Sequence, residues 1–239
     1  MTNAARRCWN CCYEGELADR RELSLLAAGL RLPIDGPYLA IVTEAPDPGI
    51  NPMPDIEVQL RAHGHASAWQ LLPDALVGIV QLPNGRADAV NTRLSRYPNQ
   101  HHGLSPAFAD LALASSAVRM ARIALAGTRA TGEHIGTFGE QPVTMAAASD
   151  PDVMRHIRDT VLGGLDSMPE DERAVLLDTL ETWLDTGGST DAAAALFCHP
   201  NTIRHRLRRL EAATGRRLRT PRDIADLCLA LAAERVSSH

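Results

Sequence analysis

The chain contains no lysine; its 24 cationic side chains are all arginine. A GC-rich coding bias would produce the same replacement, so the preference carries no functional weight. Aromatic residues are scarce, at 4% of the chain, and Leu, Val, Ile and Ala must fill most of any core. No apolar run approaches the roughly 20 residues needed to cross a bilayer. No signal peptide is visible either, because Arg6, Arg7 and Cys8 are not followed by an apolar stretch. The expectation is a soluble, cytoplasmic protein without membrane contact. Five cysteines, an odd number, argue against a disulfide scaffold. Cys8, Cys11 and Cys12 form a C-x-x-C-C cluster, but a zinc site needs a fourth ligand and no second pair follows at a suitable spacing. The cluster reads as thiols on a loose N-terminal tail, and neither a metal nor another cofactor is expected. Cys198 and Cys228 fall in helical patterns and read as small core residues.

What the chain does have is a marked asymmetry of charge. The net charge of −5 does not suggest a nucleic-acid binder. Distribution matters more than the sum. Between His199 and Arg222 stand Arg204, Arg206, Arg208, Arg209, Arg216, Arg217, Arg219 and Arg222, and the one acid there is Glu211. A basic end therefore sits on an acidic body.

Hydrophobic periodicity predicts an α+β fold. Glu16 to Leu30 reads as a leading helix. Tyr38 to Thr43 is a short buried strand, Asp55 to His63 a helix, and Ser67–Leu72 and Leu76–Leu82 two strands joined as a hairpin through Pro73-Asp74-Ala75. Arg86 to Arg96 reads as a helix with Val90, Leu94 and Tyr97 inward, and Gln100 to Leu104 as a short strand. Ser105-Pro106 looks like a helix start, with Ser at the N-cap and Pro in the first turn. Leu111 to Ala126 is Ala-rich and suited to close packing on a sheet, and His134 to Phe138 is the last strand. His63, His65, His101 and His102 read as loop or surface residues. The central hairpin implies an antiparallel or mixed sheet covered by helices. Beyond about Gln141 the pattern is helical: Asp150–Leu162, then Glu170–Thr186 with Val175, Leu176, Leu180, Trp183 and Leu184 on one face, stopped by Gly187-Gly188. The expected organisation is a tail and leading helix over 1–35, a sheet-and-helix domain over 36–140, a helical linker over 141–168 and an all-α domain over 169–239.

The last domain contains two short helices joined by a tight turn. Ser189 is the expected cap of the first; Ala192–Ala195 keep it thin enough for another helix to cross closely, and Leu196 and Phe197 are expected to supply apolar contact at its end. His199-Pro200 opens the second. With Ile203 at the centre of its buried face, a 100° step puts Leu207 and Leu210 within about 40° of it. Asn201, His205 and Arg208 then fall opposite, flanked by Thr202, Arg204 and Arg209. Such a stripe carries the donors that base edges and phosphates accept. Asn201, Thr202, Arg204, His205 and Arg208 are the predicted groove-facing residues, and Arg209, Arg216 and Arg217 the predicted phosphate contacts. His199 and His205 lack a suitably spaced carboxylate or thiol for a metal. A last helix from Pro221, with Ile224, Leu227, Cys228 and Leu231, closes the small core.

Residues 176–231 resemble the C-terminal helix-turn-helix of the PucR/CdaR family of bacterial transcriptional regulators. The likeness is carried by L-x-x-W-L-D-x-G-G-S ahead of the motif and by H-x-N-T-I-R-x-R-L-R-R-L-E-x-x-T-G from His199 to Gly215. Residues 36–140 resemble the degenerate GGDEF-like domain of the same family, through Gly103-Leu104-Ser105-Pro106-Ala107-Phe108 and the Ala/Arg helix after it. The resemblance implies sequence-specific binding of double-stranded DNA, as a homodimer or higher oligomer, under control of a small-molecule effector or partner. Half-sites about 34 Å apart would suit such a dimer. Cyclases of the related kind carry G-G-[DE]-E-F in the central hairpin; here Leu72-Pro73-Asp74-Ala75-Leu76 keeps Asp74 alone, which predicts no enzyme activity. The alternative is a nucleotide-binding or signalling module built on the GGDEF-like domain, without cyclase activity; that domain would otherwise serve ligand sensing or protein contact. Family members carry a separate sensor before this region, whereas about 35 residues precede it here, which leaves open a short form, a fragment or an incorrectly started gene product.

Overall fold

The computed structural model describes residues 20–237. The cluster of Cys8, Cys11 and Cys12 and the expected start of the leading helix at Glu16 lie outside them. Within the described residues the chain divides into two compact units, one up to Met145 and one from Ala146.

The first unit is α+β. Its elements are α1 (Arg20–Leu30), β1 (Tyr38–Glu44), α2 (Ile56–Arg61), β2 (Ser67–Leu71), β3 (Ala75–Gln81), α3 (Asp88–Leu94), β4 (His102–Leu104), a short 3-10 turn (Leu111–Leu113), α4 (Ala114–Thr131) and β5 (Ile135–Thr137). The sheet runs β2-β3-β1-β4-β5. Every neighbouring pair is antiparallel except β4 and β5, so the sheet is mixed. Its inner strands are apolar on both faces because both faces are covered. Tyr38, Ala40, Val42, Val77 and Ile79 pack with α1 and α4, while Leu39, Ile41, Leu76 and Val80 pack with α2 and α3. The alanines of α4 let its backbone come down on β4. A Cβ at Gly103 would lie 2.0 Å from the Ala121 carbonyl oxygen, so only glycine fits this crossing.

Two expectations for this unit are corrected. Ser105-Pro106 does not start a helix. Ser105 is buried, and its hydroxyl accepts the Ala40 amide at 3.0 Å, extending the contact between β4 and β1. The following turn starts instead at Asp110, whose carboxylate accepts the Ala112 amide at 2.9 Å. His102 is fully buried rather than on the surface, because the register of β4 on β1 turns it inward beside Thr43; its Nδ1 lies 2.8 Å from the Thr43 hydroxyl. His65 lies in a loop, as expected, and is buried there, with Nδ1 2.9 Å from the Gln81 carbonyl.

α5 (Pro142–Ser149) spans the division. The second unit holds α6 (Pro151–Leu162), a 3-10 turn (Gly163–Leu165), α7 (Glu170–Thr186), α8 (Ser189–Ala195), α9 (Pro200–Thr214) and α10 (Pro221–Ser237). Leu162, Leu165, Leu176, Leu180, Leu210, Leu227 and Leu231 form its main core. Beside that core, Arg158 and Arg173 converge on Glu234: Arg158 Nε is 2.6 Å from one carboxylate oxygen, and Arg173 holds the other. Burial alone would raise the pKa of Glu234, but hydrogen bonds from the two guanidiniums win and hold it below the ordinary carboxylate value. This pairing ties α6 and α7 to α10. Val175 departs from expectation: it is 41% exposed, because it lies about 100° from Leu176 around α7, off the buried stripe. No helix among the described residues is long and apolar enough to cross a membrane.

Candidate nucleic-acid interface

α7 ends at Gly187 in the left-handed conformation, with φ 74°. α8 begins one residue earlier than expected: Gly188 is its N-cap, its carbonyl accepts the Ala192 amide, and Ser189 makes no side-chain capping bond. Ala192 and Ala193 are buried and present almost no side-chain bulk. Ile203 and Leu207 of α9 pack there, with Trp183, Leu196 and Cys198 around them. The chain then turns sharply. The Cys198 amide reaches back to the Ala193 carbonyl at 2.9 Å, and Phe197 takes a φ of 50°. This left-handed backbone throws the Phe197 ring outward, so it does not supply the expected apolar contact and is 97% exposed.

α9 opens on a histidine cap and a proline in its first turn. The Nδ1 of His199 accepts the Asn201 amide at 3.2 Å, and Pro200 occupies the first turn. Ile203, Leu207 and Leu210 are buried, and Asn201, Thr202, Arg204, His205, Arg208 and Arg209 are exposed. Asn201 and Arg204 are joined, with Arg204 Nη1 donating to the Asn201 amide oxygen at 2.7 Å. Arg208 Nε donates to the Arg204 carbonyl at 3.2 Å. Arg206 points the other way: it is half-buried and donates to the Thr179 hydroxyl of α7 at 3.3 Å, which braces the helix from behind.

The predicted phosphate contacts divide in their surroundings. Arg209 is ion-paired with Glu172 of α7. Arg216 Nε lies 3.2 Å from Asp226. Arg217 is exposed, and its backbone amide donates to Asp223. Arg219 was not among the predicted contacts, yet it joins Arg204, Arg208, Trp183 and Ser189 around one cleft of about 410 Å³. Its place in the arginine run after Gly215 was the available signal. Its return to α9 depends on the loop, which Glu211 holds by accepting the Leu218 amide at 2.8 Å.

In the first unit, the hairpin closes through Pro73-Asp74, with the Leu72 amide on the Ala75 carbonyl at 2.8 Å. The Asp74 carboxylate accepts Arg122 Nη1 of α4 at 2.8 Å, and that hydrogen bond holds its pKa below the usual carboxylate range. The acid that survives in this hairpin thus already has a partner. Among the described residues, no group of three His, Cys, Asp or Glu side chains is placed to hold a metal ion.

A mixed-sheet unit is followed by a compact helical unit whose second motif helix is greasy behind and cationic in front, the arrangement of a helix-turn-helix. Residues 176–233 match the PucR C-terminal helix-turn-helix domain, and residues 14–126 match the GGDEF-like domain. The chain thus carries a GGDEF-like domain followed by a PucR-type C-terminal helix-turn-helix domain. Uncharacterised proteins of Mycobacterium bovis and of two Mycobacterium tuberculosis strains are each 48% identical to it over 54 residues. That stretch is 22% of this chain and 13% of the length of those relatives. A regulator of polyketide synthase expression from Bifidobacterium adolescentis, a solved structure, is 22% identical with a TM-score of 0.48, over 99% of this chain and 94% of that one.

Proposed function

We propose that this chain regulates transcription by laying α9 in the major groove of promoter DNA. One observation carries the reading: Asn201, Thr202, Arg204, His205 and Arg208 share an exposed face opposite the buried Ile203, Leu207 and Leu210. Amide, hydroxyl, imidazole and guanidinium groups on one groove-sized helix can meet base edges and phosphates together. Arg209, Arg216 and Arg217 serve as backbone contacts, with Arg219 added to them from the cleft beside α9. Two copies would read half-sites about one helical turn apart. A small molecule or partner acting on the GGDEF-like domain would control binding, and the working compartment is the cytoplasm.

Within this reading the GGDEF-like domain is not an enzyme. The Arg122 pairing of Asp74 supports that view, since a metal-binding carboxylate would have to give up its guanidinium. The test is a mobility shift on the DNA flanking the gene, with Arg204→Ala and Arg208→Ala. Each change should weaken the sequence-specific complex by about 1–3 kcal/mol while leaving thermal unfolding in place. A specific complex untouched by both changes would refute the assignment of α9.

A further inference from the structure

Phe197 has no role in the fold that offsets what it costs. It sits in the left-handed region at φ 50°, where glycine is at ease and a residue with a β-carbon is not. Its ring is 97% exposed, so its large apolar surface stays in water. The turn itself is built by backbone bonds, the Leu196 amide to Ala192 and the Cys198 amide to Ala193, neither of which needs an aromatic side chain. Glycine would make the same turn with less strain.

The position of Phe197 supplies the missing partner. It stands two residues before the His199 cap and four before Asn201, at the leading end of the cationic stripe. The first residues of a recognition helix are those that approach base edges. A surface rich in guanidinium groups calls for a polyanion, and the apolar feature a duplex offers in its major groove is the thymine C5-methyl group. We infer that Phe197 is a base-reading residue whose ring packs on a thymine methyl at the edge of the bound site. The inference rests on the DNA-binding reading above and adds a specificity element that hydrogen-bond donors alone do not provide.

The test starts from a duplex selected by the full chain from a random-sequence pool. Mobility shifts compare that duplex with a copy in which deoxyuridine replaces thymidine, removing the methyl groups alone. The wild-type chain should bind the deoxyuridine copy about four-fold more weakly for each methyl contacted. Phe197→Asn should bind the thymidine duplex roughly ten-fold more weakly than wild type, treat both copies alike, and unfold at an equal or higher temperature, because asparagine tolerates the left-handed region. A wild-type chain that does not distinguish the two copies overturns the inference whatever the variant does. So does a variant that keeps wild-type affinity, which would assign the ring to a protein partner, or one that still discriminates between the copies. Should the wild-type chain enrich no sequence at all, the DNA-binding reading itself falls, and this assignment with it.

Discussion

Acidification should loosen the first unit through a single side chain. His102 is fully buried on β4 beside Thr43 of β1, and burial pushes its pKa from 6.5 down to about 4. His101 and His134 nearby add to that depression. The Tyr97 and Leu94 backbones partly counter it. The folded state therefore prefers the neutral ring, while the unfolded chain takes up a proton near pH 6.5. Stability from this group is complete above that pH and is lost as pH falls towards 4. With those two values the loss between pH 7.5 and pH 5 is about 2 kcal/mol, and about 3 kcal/mol once both states are protonated. Hydrogen exchange followed by mass spectrometry on β1 and β4 would read it as faster opening of those amides at pH 5, after correction for the intrinsic exchange rate. His102→Leu removes the titrating group, so whatever that change costs at pH 7.5, the pH dependence of opening should flatten by the same 2 kcal/mol or so. Wild type and variant losing protection equally on acidification would refute the reasoning.

Two further outcomes follow from the second unit. Glu234→Ala leaves Arg158 and Arg173 with Asp166 as the carboxylate they still share, and should lower the stability of the helical unit by about 2 kcal/mol in thermal or urea unfolding. Arg219→Ala should leave unfolding unchanged, weaken DNA binding across all sequences alike, and reduce the slope of log affinity against log salt by about one.

Much of the fold was readable where burial leaves a period in the sequence. Ile203, Leu207 and Leu210 mark the inner side of α9 by spacing alone, and the apolar runs of β1 and β3 announce strands covered on both faces. The exposed donors of α9 follow from the same geometry, being what remains when the apolar positions are assigned. Long-range pairings had no such trace. Ser105-Pro106 carries the local chemistry of a helix start, and only the proximity of Ala40 in the sheet makes Ser105 a bridge between strands. His101 and His102 look alike in sequence, yet strand register buries the second. Nothing near Arg209 indicates that Glu172 awaits it on another helix, and nothing near Phe197 indicates that its ring is turned outward.

The pairing of Arg209 with Glu172 makes the second unit its own rival for one guanidinium. A duplex that draws Arg209 to a phosphate must first separate it from a carboxylate, so what is gained there is the difference between two anions rather than the attraction of one. Among the described residues, Arg204 and Arg208 hold an amide oxygen and a backbone carbonyl, which DNA displaces at little loss. Exchange of this kind also leaves a bare acid behind: once Arg209 departs, Glu172 is free to repel the incoming strand or to receive another cation.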